Sequence, residues 1–256
     1  MEQMKLEDIN IAIHHGVATI LIDREVKLNA LNSSVLEQLF RGFSQIEKDQ
    51  SVRVIVLKGA GNKAFAAGAD LEEISEKVSI FELRDYYLKF NALYDKMRSV
   101  PQPIIAAVNG YAFGGGCLLA LSCDMVIATK KSKFGQQEVN YGFMGGASIL
   151  PKLVGKQIAS EIVMLGATFD SETFYHFGLV NKVIEEQELD KEVANICTTI
   201  VKKPAQALNM IKKTINYSME TGLTESNKYE TEVAAICLST KESQEAIVKF
   251  LNRTNK

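Results

Sequence analysis

Between Pro101 and Cys123 the chain carries no charged residue. A run of that length could cross a bilayer as a helix. It is interrupted, however, by Pro101, Pro103, Asn109, Gly110 and the triple glycine Gly114-Gly115-Gly116. A lipid-facing helix has no way to satisfy the backbone around such positions. The segment therefore reads as a buried strand over 104–108, a turn, and a buried small-residue helix from about Gly115 to Ser122. Everything else must be built around it. The remaining composition, 46% hydrophobic and 23% charged with four prolines in 256 residues, is that of a globular chain long enough to bury a large core. A net charge of −2 without a basic block argues against nucleic acid or an anionic membrane as partner.

Residues 8–13 and 17–22 alternate apolar and polar around His14-His15-Gly16 and read as a hairpin. Ser33 or Ser34 is expected to cap a helix reaching about Asp49, with Val35, Leu36, Leu39, Phe43 and Ile46 on its apolar face. Residues 52–59 form a buried strand, followed by a glycine- and alanine-rich loop from Ala60 to Asp70. A short helix over 71–77, a longer one over 81–98 and another strand over 125–129 complete the pattern. Strands alternating with helices point to an α/β fold with a parallel sheet and right-handed crossovers. Beyond residue 184 the chain turns helical, with Pro204 in a first turn and Gly222 at a helix end. The expected division is a core over 1–195 and a helical oligomerisation subdomain over 196–256.

Gly59-Ala60-Gly61-Asn62-Lys63-Ala64 follows a strand, but no helix opens after it and no acidic residue ends a second strand, so dinucleotide binding is not expected. The chain has neither a Gly-x-Ser-x-Gly elbow nor a phosphate-loop lysine. Cys117, Cys123, Cys197 and Cys237 make no Cys-x-x-Cys pair and the three histidines complete no metal pattern. They read as reduced cysteines without a metal site. The N-terminus has neither an apolar signal core nor a transit-peptide composition, so the expected location is the cytoplasm. Two loops stand out, 65–70 and 109–116. Each follows a buried strand, precedes a helix and is made of small residues. Such loops let two backbone N–H groups converge on one oxygen as an oxyanion hole. Tight helix–sheet packing asks for the same residues.

Phe65–Ile74 (FAAGADLEEI), Pro101–Ala128 and Lys133–Gly142 (KFGQQEVNYG) together resemble the crotonase superfamily, the enoyl-CoA hydratases and isomerases. The resemblance runs on through His176–Ile184 and Ala246–Arg253. It implies a spiral of ββα units with a C-terminal helical trimerisation region, hence a homotrimer or hexamer. It implies a CoA or phosphopantetheine (acyl-carrier-protein) thioester as substrate, with no further cofactor. Ala69 and Gly115 match the two oxyanion-hole positions. Two glutamates serve the family's hydratases: the first position is Leu118 here, the second is Glu138. Leucine holds neither water nor proton, whereas a single carboxylate suffices to move a proton between carbons. At this spot the sequence resembles the mitochondrial-type 3,2-enoyl-CoA isomerases, with leucine for the first glutamate and the second kept. It further implies that Lys27, Ala30, Lys63, Ala67, Asp70, Leu71, Leu118 and Tyr141 contact the substrate. After Glu138 the chain departs from the usual Pro-Gly-x-Gly-Gly-Thr-like wall. Its Tyr141-Gly142-Phe143-Met144-Gly145-Gly146 run resembles decarboxylases of polyketide β-branching, for which Lys77 would be the reactive side chain. A non-catalytic thioester- or RNA-binding relative is the third reading. His14, His15 and His176 match no motif.

Overall fold

The structure, a computed structural model, describes residues 2–254. The chain opens with three antiparallel strands, β1 (Glu2–Lys5), β2 (Ile9–His14) and β3 (Val17–Ile22). Helix α1 (Ser33–Ile46) leads to β4 (Val54–Gly59), and β5 (Ala64–Ala66) lies within the expected glycine-rich loop. Next come α2 (Leu71–Glu76), α3 (Ile80–Ser99), β6 (Ile104–Val108), β7 (Tyr111–Phe113) and α4 (Gly115–Leu121). Strands β8 (Met125–Thr129) and β9 (Lys133–Gly135) precede a tight turn of 3-10 helix over Glu138–Tyr141. Then follow α5 (Leu150–Leu165), β10 (Phe169–Asp170), α6 (Ser171–His176), β11 (Lys182–Ile184) and α7 (Leu189–Val201). Helices α8 (Ala205–Ser218), α9 (Leu223–Ser239) and α10 (Lys241–Thr254) close the chain.

The larger sheet runs β1-β2-β3-β4-β6-β8-β11, parallel from β3 onward; the smaller runs β10-β9-β7-β5. Each of β4, β6 and β8 hands the chain to a strand of the smaller sheet, β5, β7 and β9, before a helix follows. This repetition is the ββα spiral. The uncharged segment becomes β6, β7 and α4, each too short to span lipid, and no helix among the described residues is long and apolar enough to cross a membrane.

Three local expectations are corrected. The cap of α1 is Asn32, whose side chain accepts from the Val35 N–H at 2.8 Å, while the Ser33 hydroxyl donates to Glu73. Gly222 starts α9 rather than ending a helix. The expected boundary after residue 195 falls inside α7. There Val193, Cys197 and Ile200 pack against Val54, Ile105 and Ile127, covering one face of the large sheet. Only the chain beyond Val201 leaves the core, and α8 is tied back to it by the buried Lys212, which bonds Asp124 at 2.9 Å and the Gln102 carbonyl at 3.1 Å.

Candidate active site

The two small-residue loops lie against each other. A Cβ on Gly116 would stand 2.0 Å from the Ala66 carbonyl oxygen, and one on Gly68 would stand 2.9 Å from the Phe113 oxygen. Glycine at these positions is what lets α4 and the 65–70 loop approach backbone to backbone. The 65–70 loop is fixed from its other side by the turn after β3. Leu31 N–H donates to Gly68 O at 2.8 Å, Asp70 N–H to Leu31 O at 3.3 Å, and Ala67 N–H to Leu28 O at 3.0 Å. This bridge skips the Ala69 N–H, which has no backbone partner among the described residues. Gly115, first residue of α4, likewise has an N–H beyond the reach of its own helix ladder. A Cβ on Gly115 would stand 2.6 Å from the Phe90 ring, which would have to move to admit a side chain there.

Both loops line one cavity of about 830 Å³, together with Leu118, Glu138, Tyr141 and Phe143. Glu138 sits at the start of the 3-10 turn, its Oε2 buried without a hydrogen-bond partner. A Cβ on Gly114 would stand 2.8 Å from its Oε1 and one on Gly145 2.5 Å, so the carboxylate is lodged between those two glycines. Burial pushes the Glu138 carboxyl above its ordinary range, and its own backbone N–H only partly opposes this. The other two carboxylates lining the cavity, Asp95 and Glu220, are both engaged by Arg98 at its far end. Burial also raises Tyr94 and Tyr87, which line the wall contributed by α3, and Tyr94 donates its hydroxyl proton to Gly115 O at 2.9 Å.

Ala69, Gly115, Glu138, Ala67, Leu71, Leu118 and Tyr141 are thus brought together at the cavity. Lys27, Ala30, Lys63 and Asp70 are not. Lys27 is exposed and held by Glu72 at 2.6 Å, and Lys63 is exposed on the surface. The Ala30 carbonyl accepts from Arg24. Asp70 is buried as the cap of α2, accepting from Glu72 and Glu73 N–H and pairing with Arg24 at 3.0 Å, so its carboxylate is spent on structure. Lys77 lies outside the cavity, paired with Glu73 at 2.9 Å with its ammonium 5.6 Å from the Tyr86 ring centre.

Several supporting residues were not singled out in the sequence. Asn29, fully buried with a left-handed backbone, donates to the Ala60 and Ala64 carbonyls and accepts from Arg24 N–H. The Tyr86 hydroxyl accepts from Asp70 N–H and donates to Leu31 O, pinning the 65–70 loop. These contacts bridge residues far apart in the chain and leave no local pattern.

The family model described as Enoyl-CoA hydratase/isomerase matches residues 12–256. The chain belongs to this family. A short-chain-enoyl-CoA hydratase of Clostridium acetobutylicum is 35% identical over 98% of the chain and 97% of that relative. A crotonyl-CoA hydratase of Syntrophomonas wolfei is 32% identical over the same shares. Among solved structures, an enoyl-CoA hydratase from Bacillus anthracis superposes with a TM-score of 0.92 at 29% identity, covering 96% of this chain and 97% of that one. This family member therefore has the crotonase fold over 96% of its length.

Proposed function

We propose that this protein is a 3,2-enoyl-thioester isomerase that works through one carboxylate. The observation that carries the reading is the bare, buried Glu138 oxygen in a cavity where Leu118 stands at the position of the hydratases' other glutamate. The thioester carbonyl of an acyl-CoA, or of an acyl-carrier-protein, receives the Ala69 and Gly115 N–H groups. Glu138 takes a proton from C2 of the 3-enoyl group. The electron pair moves into a dienolate whose charge rests on the thioester oxygen, where each donor contributes about 3–4 kcal/mol. The protonated Glu138 then returns the proton at C4, and the double bond lies between C2 and C3. No cofactor enters this balance.

The relatives' names supply the second reading, hydration of a 2-enoyl thioester. It lacks a second carboxylate beside Glu138 to hold the water, since Leu118 stands at that position and Asp95 and Glu220 are engaged by Arg98. The decarboxylase reading loses its reactive side chain, because Lys77 is paired with Glu73 away from the cavity.

The test is Glu138→Gln, which keeps shape and hydrogen-bonding capacity but removes the base. Isomerisation of a 3-enoyl-CoA is expected to fall at least about a hundredfold. CoA affinity is expected to hold, because backbone N–H groups bind the thioester. Turnover near the parent rate would overturn the mechanism.

A further inference from the structure

Each N–H of the proposed oxyanion pair belongs to a peptide group whose carbonyl is itself hydrogen-bonded. The Ala69 N–H shares its peptide with Gly68 O, which accepts from Leu31 N–H at 2.8 Å. The Gly115 N–H shares its peptide with Gly114 O, which accepts from Leu118 N–H at 3.0 Å and from Gln136 Nε2 at 3.0 Å. A donor on an amide oxygen draws electron density from the amide nitrogen and makes its N–H a stronger donor in turn. Two of these three partners are main chain. Gln136 is the one that a substitution removes.

Gln136 holds this place at a cost. It is 1% exposed, and its Oε1 has no hydrogen-bond partner. That oxygen lies against the 145–146 wall: a Cβ on Gly146 would stand 2.9 Å from it and one on Gly145 3.4 Å. A buried amide oxygen left unpaired is unfavourable, and an apolar side chain of similar length would avoid it. Turning the amide over is no remedy, because Oε1 would then face the Gly114 carbonyl, acceptor against acceptor. Gly114 has a positive φ of 49° with ψ −124°, outside both helix and strand, and as the cap of α4 it gives its carbonyl to the helix's first bond, from Leu118, so Gln136 supplies the one side-chain donor to that peptide.

We propose that Gln136 is a positioning residue for the oxyanion hole: its Nε2 fixes the plane of the Gly114–Gly115 peptide and polarises the Gly115 N–H toward the thioester oxygen. The proposal rests on the oxyanion pair of the preceding section, though not on which reaction that pair serves. It extends the site beyond groups that touch substrate to the strand end that carries Glu138, since the two side chains are two residues apart. A single stretch, 136–138, thereby sets both the base and the strength of one oxyanion donor.

The experiment uses the whole chain with butyryl-CoA labelled with carbon-13 at the carbonyl, a saturated thioester that is neither hydrated nor isomerised. In the parent, difference infrared spectra are expected to show the bound carbonyl band displaced to lower frequency. Gln136→Met, which keeps length and bulk but removes the donor, is expected to lose part of that displacement. Its kcat on a 3-enoyl-CoA is expected to fall about tenfold, less than the hundredfold or more of deleting an oxyanion donor outright. Affinity for free CoA and the acid limb set by Glu138 are expected to stay unchanged, which general damage to the fold would not allow. Gln136→Asn, one methylene too short to reach Gly114 O, gives the same test should the methionine variant fail to fold. A variant with the parent's carbonyl band and kcat overturns the proposal. An undisplaced band in the parent overturns the oxyanion pair and the proposal with it. A displaced band that Gln136→Met diminishes, in a parent that turns over no 3-enoyl-CoA, leaves the proposal standing and removes the isomerase reading.

Discussion

Leu118 separates the two chemistries that this scaffold can host. It lines the cavity from α4, one turn beyond Gly115 and across from the Glu138 carboxylate. With no second carboxylate there, hydration of crotonyl-CoA is expected at least about a hundredfold below that of a two-glutamate hydratase assayed alongside, the low end of what general acid–base catalysis contributes. Leu118→Glu is expected to raise hydration. It is also expected to move the acid limb of Glu138 upward, because two carboxylates in one site cannot both ionise freely. The same logic gives a pH prediction for stability. Burial raises the carboxyl of Glu138 in the folded state, so the folded protein holds that proton more tightly than the unfolded chain. Stability from this group is fully present below its unfolded pKa and is lost as pH rises through the folded value. Glu138→Gln removes that loss. The variant is expected to melt at or above the parent at pH 7, with the difference closing below pH 4.5, as differential scanning calorimetry would show. A variant that melts well below the parent at pH 7 would contradict this picture of a lone buried carboxylate.

Helices and strands place these residues through contacts only some of which the sequence displays. The apolar runs of β4, β6 and β8 and the helical spacing of α1 were legible because buried parallel strands and amphipathic helices write their burial locally. The strands of the smaller sheet, β5, β7, β9 and β10, were not, being two or three residues long and held by partners from distant turns of the spiral. The site was legible in Ala69, Gly115, Leu118 and Glu138 through the family motifs. Lys27 and Asp70 lie off the cavity lining, held by Glu72 and Arg24, pairings that a charge beside a motif does not reveal. Gln136 and Tyr86 show themselves only once the loops are folded together. Two elements invite direct tests. Gly116→Ala would drive a methyl into the Ala66 carbonyl at the α4–β5 contact and is expected to cost at least about 1–3 kcal/mol in urea unfolding, with the oxyanion loops forced apart. Lys212→Ala would leave the Asp124 carboxylate without its cation. Since Asp124 keeps partial contact with solvent and its bond from Ile104 N–H, the expected loss is about 2–3 kcal/mol, below the range for a fully buried pair. Unchanged denaturation midpoints would show that α8 is not held by this bond.

The whole molecule presents apolar surface that one copy of the chain does not cover. Between them α8 and α9 bury only Lys212, Ser226 and Val233, yet Ile211 and Ile215 on α8, and Ile236 and Leu238 on α9, stay about half exposed. Exposed apolar side chains gathered on consecutive helices mark a contact surface, and α7 already covers most of the open face of the large sheet, α8 adding only Leu208 to that cluster. Self-association is therefore expected, as the homotrimer or hexamer that the crotonase resemblance implies, read as the mass from light scattering at micromolar chain concentration. A monomer under those conditions would contradict it. Placing charges one turn apart on the same face, Ile211→Lys with Ile215→Lys, is expected to shift the mass toward the single chain while Glu138, Ala69 and Gly115, which lie on other elements, keep their geometry. The consequence for activity is specific. Glu220, in the turn between α8 and α9, lines the far end of the cavity with Arg98 and Lys152, and Lys152 donates to the Met219 carbonyl beside it. Loosening α8 and α9 is therefore expected to open the end of the cavity far from Ala69 and Gly115, where the acyl tail of the proposed substrate would extend. The charged double variant is expected to raise KM for long 3-enoyl thioesters more than for 3-pentenoyl-CoA, with kcat on the short substrate close to the parent value. Equal losses on short and long substrates would show that the C-terminal helices support the catalytic end as well.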